Sequence, residues 1–461
     1  MNKIFGMRRF LTSSIGVAST AALAFPLALA LALPADAASA PGSTFTSSSP
    51  AVGTQHPGIP GATQSLDLVP LSSDRSPTPV QGLGKRGVRS FSMVGVVWDD
   101  PAVALRGQVQ VRARSAATGK WSKWQDVDTD NQAHAADPGS AEGTSKRLRG
   151  ATAPLWVGKS NGVEVRVQAA AEGRATGEEA LPRGLRLDLV DPGEEPLRGV
   201  EGDVTQSAAL TPEAAAASAV NAELAPLGAD VIPALDKRRT EEGLFVPEES
   251  AAEGRAVMAT RIGPRPRIVT RKGWGADETL RERDFRYTTS VKAAFVHHSA
   301  SGNNYSCAQA PSVIRSIYRY HVVSSGWRDI GYNFLIDRCG TIYEGRAGGV
   351  AKAVMGAHTL GFNSDSMGIA VLGSFGTTQP TAKSVTAIAQ LTAWKLGLYG
   401  GNPLGKATLT SGGGNRYKKG TKVRLNTISG HRDGFVTDCP GSRLYAKLGT
   451  IRSKSAGLQG R

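Results

Sequence analysis

Cysteine is scarce in this chain, which has three cysteines among 461 residues. The scarcity excludes the small secreted scaffolds that many disulfides hold together. Glycine and proline, with 55 and 25 residues, are too few and too aperiodic for a collagen-like protein. Hydrophobic residues make up 40% of the chain and charged residues 20%, which is too apolar for a chain that is disordered throughout. The length then indicates two or three globular domains.

Positive charge is concentrated in the C-terminal part of the chain. The first 260 residues carry 25 Lys and Arg against 29 Asp and Glu, whereas Arg261–Arg461 carries 29 against 10, a net charge of +19. A strongly basic part indicates a polyanionic partner. Nucleic acid, anionic lipid and an anionic cell wall all fit this charge.

Long apolar runs are absent after the first forty residues, which have the pattern of a secretory signal peptide. Lys3, Arg8 and Arg9 precede a stretch rich in Ala and Leu that ends in proline and small residues. We predict cleavage after Ala37, with residues 1–37 as the signal peptide; an uncleaved membrane anchor is the alternative. The mature chain is expected to be soluble and to work outside the cell, where cysteines can pair.

Composition divides the rest of the chain into four segments. Residues 38–86 are rich in Ser, Thr, Pro and Gly and are predicted to be a flexible lead-in. Residues 87–192 contain short runs with a two-residue period, which predict an all-β, sandwich-like domain of unknown role. Residues 193–260 are acidic and Ala-rich and are predicted to be a linker with one helix near Pro212–Leu224. Residues 261–461 alternate strands with helices, which predicts an α/β domain with a central mixed sheet flanked by helices.

Apolar runs and prolines locate the elements of this last domain. The predicted strands are Ala293–Ser299, Tyr332–Asp337, Thr341–Gly345 and Met367–Phe375. The predicted helices begin at Pro311, after Pro380 and at Pro440, and the last one ends at Leu448. This α/β domain is where chemistry-bearing residues cluster.

Five of the seven histidines lie in the C-terminal domain: His297, His298, His321, His358 and His431; the others are His56 and His134. His297 and His298 end an apolar strand, so that one imidazole faces a cleft while the other packs. His431 precedes Cys439 by eight residues. Two imidazoles and a thiolate are ligands that Zn²⁺ accepts, and they leave a fourth position for water.

The three cysteines allow two interpretations. Cys307 and Cys339 flank a predicted helix and the following strand, and an exported protein is expected to pair them. Cys439 is then single, and metal binding gives its thiol a role. The alternative is a bridge from Cys439 to Cys307 or Cys339, with no metal site.

Seven motifs in order carry a resemblance to a known family. They are RKGWGA at Arg271–Ala276, FVHHSA at Phe295–Ala300, GWRDIGYNFLID at Gly326–Asp337, TIYEGR at Thr341–Arg346, GAHTLGFN at Gly356–Asn363, Met367–Gly373, and GHRDGFVTDCPG at Gly430–Gly441. Over Ile268–Leu448 the chain resembles the peptidoglycan recognition protein type of zinc N-acetylmuramoyl-L-alanine amidase, and its two-domain arrangement resembles secreted bacterial members. The resemblance implies a cell-wall hydrolase that cuts the amide between the lactyl group of N-acetylmuramic acid and L-alanine with zinc-activated water.

The resemblance also implies roles for individual residues. His297, His431 and Cys439 match the zinc ligands, with His298 structural or in contact with a ligand. Tyr332 matches the catalytic tyrosine. Thr437 stands where phage-type members carry a lysine, so that it can donate a hydrogen bond but supplies no charge. The implied substrate-binding residues are His321, Trp327, Arg346, His358 and Asn363.

Some roles and partners stay open at this point. Glu344 and Asp433 are possible general bases, although a strand-end charge and a partner for a nearby N–H are the interpretations we favour. The implied partners are peptidoglycan and anionic wall polymers, with no nucleic acid, because no nucleic-acid motif is recognisable. The mature chain is expected to be a secreted, wall-associated monomer without stable membrane insertion. The alternative function is a protein that binds peptidoglycan without turnover.

Overall fold

The structure, a computed structural model, describes residues 60–71, 79–170, 181–194, 210–243 and 261–461. The predicted signal peptide, residues 1–37, lies outside these ranges. Among the helices within them, none combines the length and the apolar character that crossing a bilayer requires.

An antiparallel β-sheet forms the N-terminal domain. Its strands are β1 (Ala62–Asp67), β2 (Val69–Pro70), β3 (Val80–Trp98), β4 (Gly107–Ser115), β5 (Gln125–Val127), β6 (Gly150–Ala151), β7 (Leu155–Ala169) and β8 (Arg186–Asp191). The strand order is β1-β8-β3-β7-β4-β5, with β2 and β6 paired to β3. Alternate residues of β4 and β7, such as Val109, Val111, Val163 and Val165, are buried. The two-residue period in the sequence therefore reflects one buried face of the sheet.

The β domain begins earlier in the chain than the sequence predicts. β1, β2 and the first part of β3 lie inside residues 38–86, which the sequence predicts to be a flexible lead-in. β1 pairs along its whole length with β8, from Ala62 opposite Asp191 to Asp67 opposite Arg186. It is an edge strand with no fully buried residue, so it carries little of the apolar alternation by which a strand is recognised.

The predicted linker over 193–260 also contains elements of the C-terminal domain. They are α1 (Pro212–Ala219), β9 (Val231–Ile232) and α2 (Lys237–Glu242). The helix expected near Pro212–Leu224 is thus present but shorter, and Ile232 is fully buried in the C-terminal core. A two-residue strand is too short to show a periodic pattern. It is recognised only through the strand with which it pairs, which lies elsewhere in the chain.

A mixed seven-stranded sheet forms the centre of the C-terminal domain. Its further strands are β10 (Ile268–Val269), β11 (Ala293–His298), β12 (Phe334–Ile336), β13 (Ile342–Glu344), β14 (Ser366–Val371) and β17 (Ile428–Gly430), in the order β17-β11-β14-β12-β13-β10-β9. β15 (Lys406–Thr410) and β16 (Lys422–Asn426) form a separate hairpin. β11 is parallel to both its neighbours, β14 and β17, and is buried along its whole length, as expected of a central parallel strand.

Helices cover both faces of this sheet. They are α3 (Ala310–Arg319), α4 (Ala382–Gly397), α5 (His431–Gly434), α6 (Ser442–Tyr445) and α7 (Leu448–Gln459). On one face, Ile388 and Trp394 of α4 pack with Ile451 of α7 and the strands. On the other, α3 contacts the C-terminal sheet and the β domain at once. The sequence places the last helix at Pro440–Leu448, which is wrong: a break separates α6 from α7, and α7 continues to Gln459. Its glycines and exposed polar residues obscure its apolar side.

The two domains share one hydrophobic cluster around α3. Met93 and Trp156 of the β domain pack in the same cluster as Ile317 and Tyr320 of the C-terminal domain. The Tyr320 hydroxyl donates to the carbonyl of Thr152 at 3.1 Å. This contact fixes the β domain against the end of the C-terminal sheet that carries the histidines.

Candidate functional site

Three predicted metal ligands lie at the carboxyl ends of neighbouring strands. His297 is near the end of β11, and His431 follows β17 directly as the first residue of α5. Because β11 and β17 are parallel neighbours, the two histidines lie side by side. Cys439 returns to the end of β11, where the backbone N–H of His298 donates to its Sγ at 3.4 Å.

These side chains form a compact buried cluster with a fourth residue. The ring centroids of His297 and His431 are 4.5 Å apart, and Cys439 Sγ lies 3.7 Å from His297 Nδ1. His134 joins them: its Nε2 lies 3.6 Å from Cys439 Sγ, and its ring centroid lies 4.5 Å from that of His431. One ligand atom from each residue lies within 4.8 Å of all the others, so that the group could hold a metal ion.

His134 is the residue of this cluster that sequence reasoning missed. It belongs to the N-terminal domain, in the segment between β5 and β6. No motif surrounds it, and its partners lie in a different domain. The available signal was its rarity, because His56 and His134 are the only histidines before residue 261.

The donor set fits a zinc ion. His134 Nδ1 and His431 Nδ1 are buried without a hydrogen-bond partner among the described residues, which leaves polar atoms of the cluster unsatisfied. Burial lowers the pKa of His134 to about 3 and holds the pKa of His297 and His431 well below the usual range, so the imidazoles are in the neutral form that binds metal. Burial raises the pKa of the Cys439 thiol, and a bound cation is what favours its thiolate. Three imidazoles and one thiolate suit tetrahedral Zn²⁺.

The other two cysteines form a disulfide. Cys307 and Cys339 are bonded, with their Cα atoms 6.1 Å apart. Cys439 is free and buried. Neither alternative bridge to Cys439 is formed, so that its thiol is left for the cluster.

Tyr332 and Thr437 both lie beside the cluster. The Tyr332 ring centroid is 5.6 Å from that of His297, and burial raises the pKa of its hydroxyl well above the usual range. Thr437 Oγ1 accepts from the backbone N–H of Cys439 at 3.2 Å. The same hydroxyl donates to Asp130 Oδ2 at 2.7 Å, so it is already engaged.

The five predicted substrate-binding residues, His321, Trp327, Arg346, His358 and Asn363, are all buried. The His321 ring lies against Trp327, with centroids 4.3 Å apart, and the centroid of His358 lies 5.3 Å from that of His297. Asn363 Oδ1 accepts from the backbone N–H of His358 at 2.7 Å. The structure therefore places these residues close to the cluster, and another part of the chain covers them.

That part is residues 128–149, between β5 and β6, which we call the covering loop. Glu142 of the loop accepts two hydrogen bonds from the Arg346 guanidinium, at 2.8 and 2.9 Å. Asp137 Oδ1 accepts from Asn363 Nδ2 at 2.6 Å. The carbonyl of Ala133 accepts from His431 Nε2 at 3.2 Å. The covering loop thus occupies the surface that the sequence predicts for substrate.

Glu344 and Asp433 have structural partners. Glu344 accepts from Asn221 Nδ2 at 2.9 Å and from the backbone N–H of Arg271 at 3.1 Å, and burial raises its pKa to about 7. Asp433 accepts from the N–H of Gly430 at 2.9 Å and from the Tyr445 hydroxyl at 2.7 Å. Neither carboxylate belongs to the metal-binding group, which favours the structural interpretation of both.

Comparisons with known proteins match both domains. Residues 47–183 match a family described as Rv3811 N-terminal galactose-binding domain-like, and residues 287–442 match the family N-acetylmuramoyl-L-alanine amidase. Peptidoglycan-recognition protein SC2 of Drosophila simulans is 31% identical over 185 residues, which cover 40% of this chain and 85% of that protein. Human N-acetylmuramoyl-L-alanine amidase is 30% identical over 187 residues, covering 40% of this chain and 28% of that protein.

Among solved structures, Drosophila PGRP-LB is 28% identical and covers 40% of this chain and 92% of its own, with a TM-score of 0.32. The family model over residues 287–442 includes His297, His431 and Cys439. The chain belongs to the family of peptidoglycan-recognition proteins and N-acetylmuramoyl-L-alanine amidases, and it carries an all-β, galactose-binding-like domain ahead of its amidase domain.

Proposed function

We propose that the protein is an exported zinc amidase that cleaves the bond between the lactyl group of N-acetylmuramic acid and L-alanine in peptidoglycan. The observation that carries this proposal is the free, buried thiol of Cys439, 3.7 Å from His297 and in one cluster with His431. A lone buried thiol beside neutral imidazoles is a donor set for a metal ion. Family membership supports a peptidoglycan substrate.

The proposed ligands are oriented by their neighbours. His297, His431 and Cys439 would hold Zn²⁺, which when bound supplies Lewis-acid polarisation of a carbonyl and a lowered pKa for a water molecule. His297 Nε2 lies 3.3 Å from Thr359 Oγ1, and His297 Nδ1 faces Cys439. Hydrogen bonds to the second nitrogen fix the ring orientation of a metal-binding histidine.

Tyr332 and Thr437 are the proposed hydrogen-bond donors to the scissile amide. Burial keeps the Tyr332 phenol protonated, so its hydroxyl can donate to the carbonyl oxygen as negative charge develops there. Thr437 can donate a second hydrogen bond once its hydroxyl leaves Asp130. Both donors are neutral, and they therefore orient the substrate and its oxyanion without adding charge.

The remaining residues bind the substrate. Arg346 presents a planar fork that suits a carboxylate of the stem peptide, and the stacked pair His321 and Trp327 offers a flat surface for sugar or peptide. The net charge of +19 on Arg261–Arg461 concentrates the enzyme on anionic wall polymers.

The test compares the natural chain with His134→Ala and with the double variant His134→Ala, Cys439→Ser. Each is incubated with purified walls, release of L-alanine amino termini is measured, and zinc is determined by mass spectrometry. We expect His134→Ala to keep zinc and release L-alanine, and the double variant to lose both. A chain in which Cys307 and Cys339 are both changed to Ser is the matched control and should keep zinc. Zinc-loaded His134→Ala without any release of L-alanine would overturn the proposal.

One observation favours the alternative, a wall-binding protein without turnover. Four protein donors around one centre are typical of structural zinc sites rather than catalytic ones. On that alternative, His134→Ala would bind walls as the natural chain does and release nothing. The same experiment therefore separates the two functions.

A further inference from the structure

We propose that the covering loop holds this site in a latent state, with His134 as a fourth ligand in the position that a catalytic zinc site leaves open. The inference rests on the proposed function, because it concerns the regulation of the same site. It goes beyond that function in assigning a metal ligand and an inhibitory role to the N-terminal domain.

The position of His134 is the first argument. Its Nε2 lies 3.6 Å from Cys439 Sγ, and its ring centroid lies 5.3 Å from that of His297 and 4.5 Å from that of His431. Its Nδ1 is buried and has no hydrogen-bond partner among the described residues. A catalytic zinc site has three protein ligands and one exchangeable position. A fourth imidazole closes that position to water and to substrate.

The loop also makes a contact that orients a second proposed ligand, His431. His431 Nε2 donates to the carbonyl of Ala133 at 3.2 Å, which leaves His431 Nδ1 as the nitrogen with a free lone pair in the cluster. Ala133 precedes His134 directly, so one short stretch of the loop both orients one ligand and supplies another. The same carbonyl accepts from the N–H of Leu360 at 3.0 Å.

The loop further satisfies the groups proposed to bind substrate. Glu142 fills the fork of Arg346 with two hydrogen bonds, as a stem-peptide carboxylate would. Asp137 accepts from the amide of Asn363 and from the N–H of Gly361 at 2.8 Å. Asp130 accepts the hydrogen bond of the Thr437 hydroxyl. Acidic side chains of the loop therefore stand where an anionic substrate would bind.

The loop is anchored at its C-terminal end, which limits how it can open. The N–H of Arg149 donates to the carbonyl of Ser325 at 3.1 Å, and the backbone of Arg147 packs directly on Gly326, where a Cβ would lie 1.9 Å from the Arg147 carbonyl oxygen. The domains also share a core around Tyr320, so we expect the loop to open while the domains stay together. Lys146 and Arg147 are exposed beside this anchor.

Cobalt substitution tests the metal contact independently of activity. The natural chain, His134→Ala and Thr144→Ala are loaded with Co²⁺, and their visible spectra are recorded as azide is added. Thr144 is the matched control, because it is exposed and its hydroxyl donates to the carbonyl of Ser140 in the same loop. We expect azide to change the spectrum of His134→Ala alone. Equal azide responses in the natural chain and His134→Ala would overturn the assignment of His134 as a ligand.

Binding of a soluble muramyl peptide tests the covering role. Asp137→Ala removes the acceptor of Asn363 and Gly361 and leaves every proposed ligand in place. We expect it to bind the fragment at least about tenfold more tightly than the natural chain, because less of the binding energy is spent on opening the loop. Circular dichroism establishes that each variant is folded. Unchanged affinity in folded Asp137→Ala and His134→Ala would overturn latency, whereas tight binding without L-alanine release would overturn only the proposed function.

Discussion

Removal of the Glu142 carboxylate is expected to open the covering loop. Glu142 and Arg346 form a buried ion pair, with side chains 10% and 7% exposed. Loss of one partner from a buried pair costs about 3–5 kcal/mol, because the other charge is left uncompensated. Water reaches Arg346 once the loop moves, so the lower end of this range applies. We therefore take about 3 kcal/mol as the change in the free-energy difference between the closed and the open loop. Each 1.4 kcal/mol is a factor of ten, which makes the open loop roughly a hundredfold more populated in Glu142→Ala.

Hydrogen exchange measures this shift at defined amides. The N–H groups of Leu360 and Gly361 donate to the loop, to the carbonyl of Ala133 and to Asp137. They should exchange roughly a hundredfold faster in Glu142→Ala, since exchange follows the open population. The amide of Ala370, in the central strand β14, is the internal control and should keep its protection. Faster exchange at Ala370 with no extra change at Leu360 would refute the reasoning, because the variant would then have lost global stability only.

The same ion pair gives the loop a pH dependence of known sign. Burial raises the pKa of the Glu142 carboxyl, but the Arg346 guanidinium together with the backbone N–H and the charge of Arg328 outweighs burial and holds the pKa below its ordinary value. A lowered carboxyl pKa stabilises the closed loop above the ordinary value of about 4.3, and this stabilisation is lost as the pH falls through the lowered pKa. The protection of the Leu360 amide, which is the observed exchange rate corrected for the intrinsic pH dependence of amide exchange, should therefore fall more on acidification in the natural chain than in Glu142→Ala. Burial raises the pKa of Asp130 and Asp137 in the same loop, and their contribution is common to both proteins. Parallel pH profiles of the two proteins would contradict the assignment.

Three further predictions follow from other contacts. Tyr332→Phe should keep zinc but release L-alanine about a hundredfold more slowly when introduced into His134→Ala, because one oxyanion donor is lost; an unchanged rate would exclude this role. Binding to purified walls should weaken as salt rises, because screening shortens the reach of the basic domain, and salt-insensitive binding would contradict it. Gly326→Ala should lower the melting temperature by an amount equivalent to about 1–3 kcal/mol, since Gly326 has φ of 76° and contacts Arg147 closely. Gly449→Ala, whose Cβ would have no atom within 4 Å, is the matched control and should not lower it.

Strands β11, β12 and β14 were predictable because each is a continuous apolar run between turn residues, whereas β10, β15 and β16 were not predicted. β11 and β14 are buried on both faces, so that most of their side chains are apolar and the run is evident. The proposed ligands His297 and His431 follow from the same pattern, because they stand where such strands end. The structure also confirms the division of the chain into an all-β domain and an α/β domain, which was predicted from the same kind of pattern.

Elements that depend on a distant partner were not predictable in this way. β9 is two residues long and exists through its pairing with β10, where Ile232 lies opposite Ile268. His134 contacts Cys439 across 305 residues of sequence, and nothing in its own surroundings marks it as a ligand. A single sequence shows local periodicity but not which separate segments meet, and the covering loop acts through such long-range contacts.

The joint packing of Met93 and Trp156 with Ile317 and Tyr320 has a practical consequence for production of the C-terminal domain alone. In a fragment starting at Arg261, the side of α3 that packs on the β domain would be an exposed apolar surface. Such a fragment is expected to aggregate on expression, so the C-terminal domain is better studied in the intact chain than as a truncated fragment.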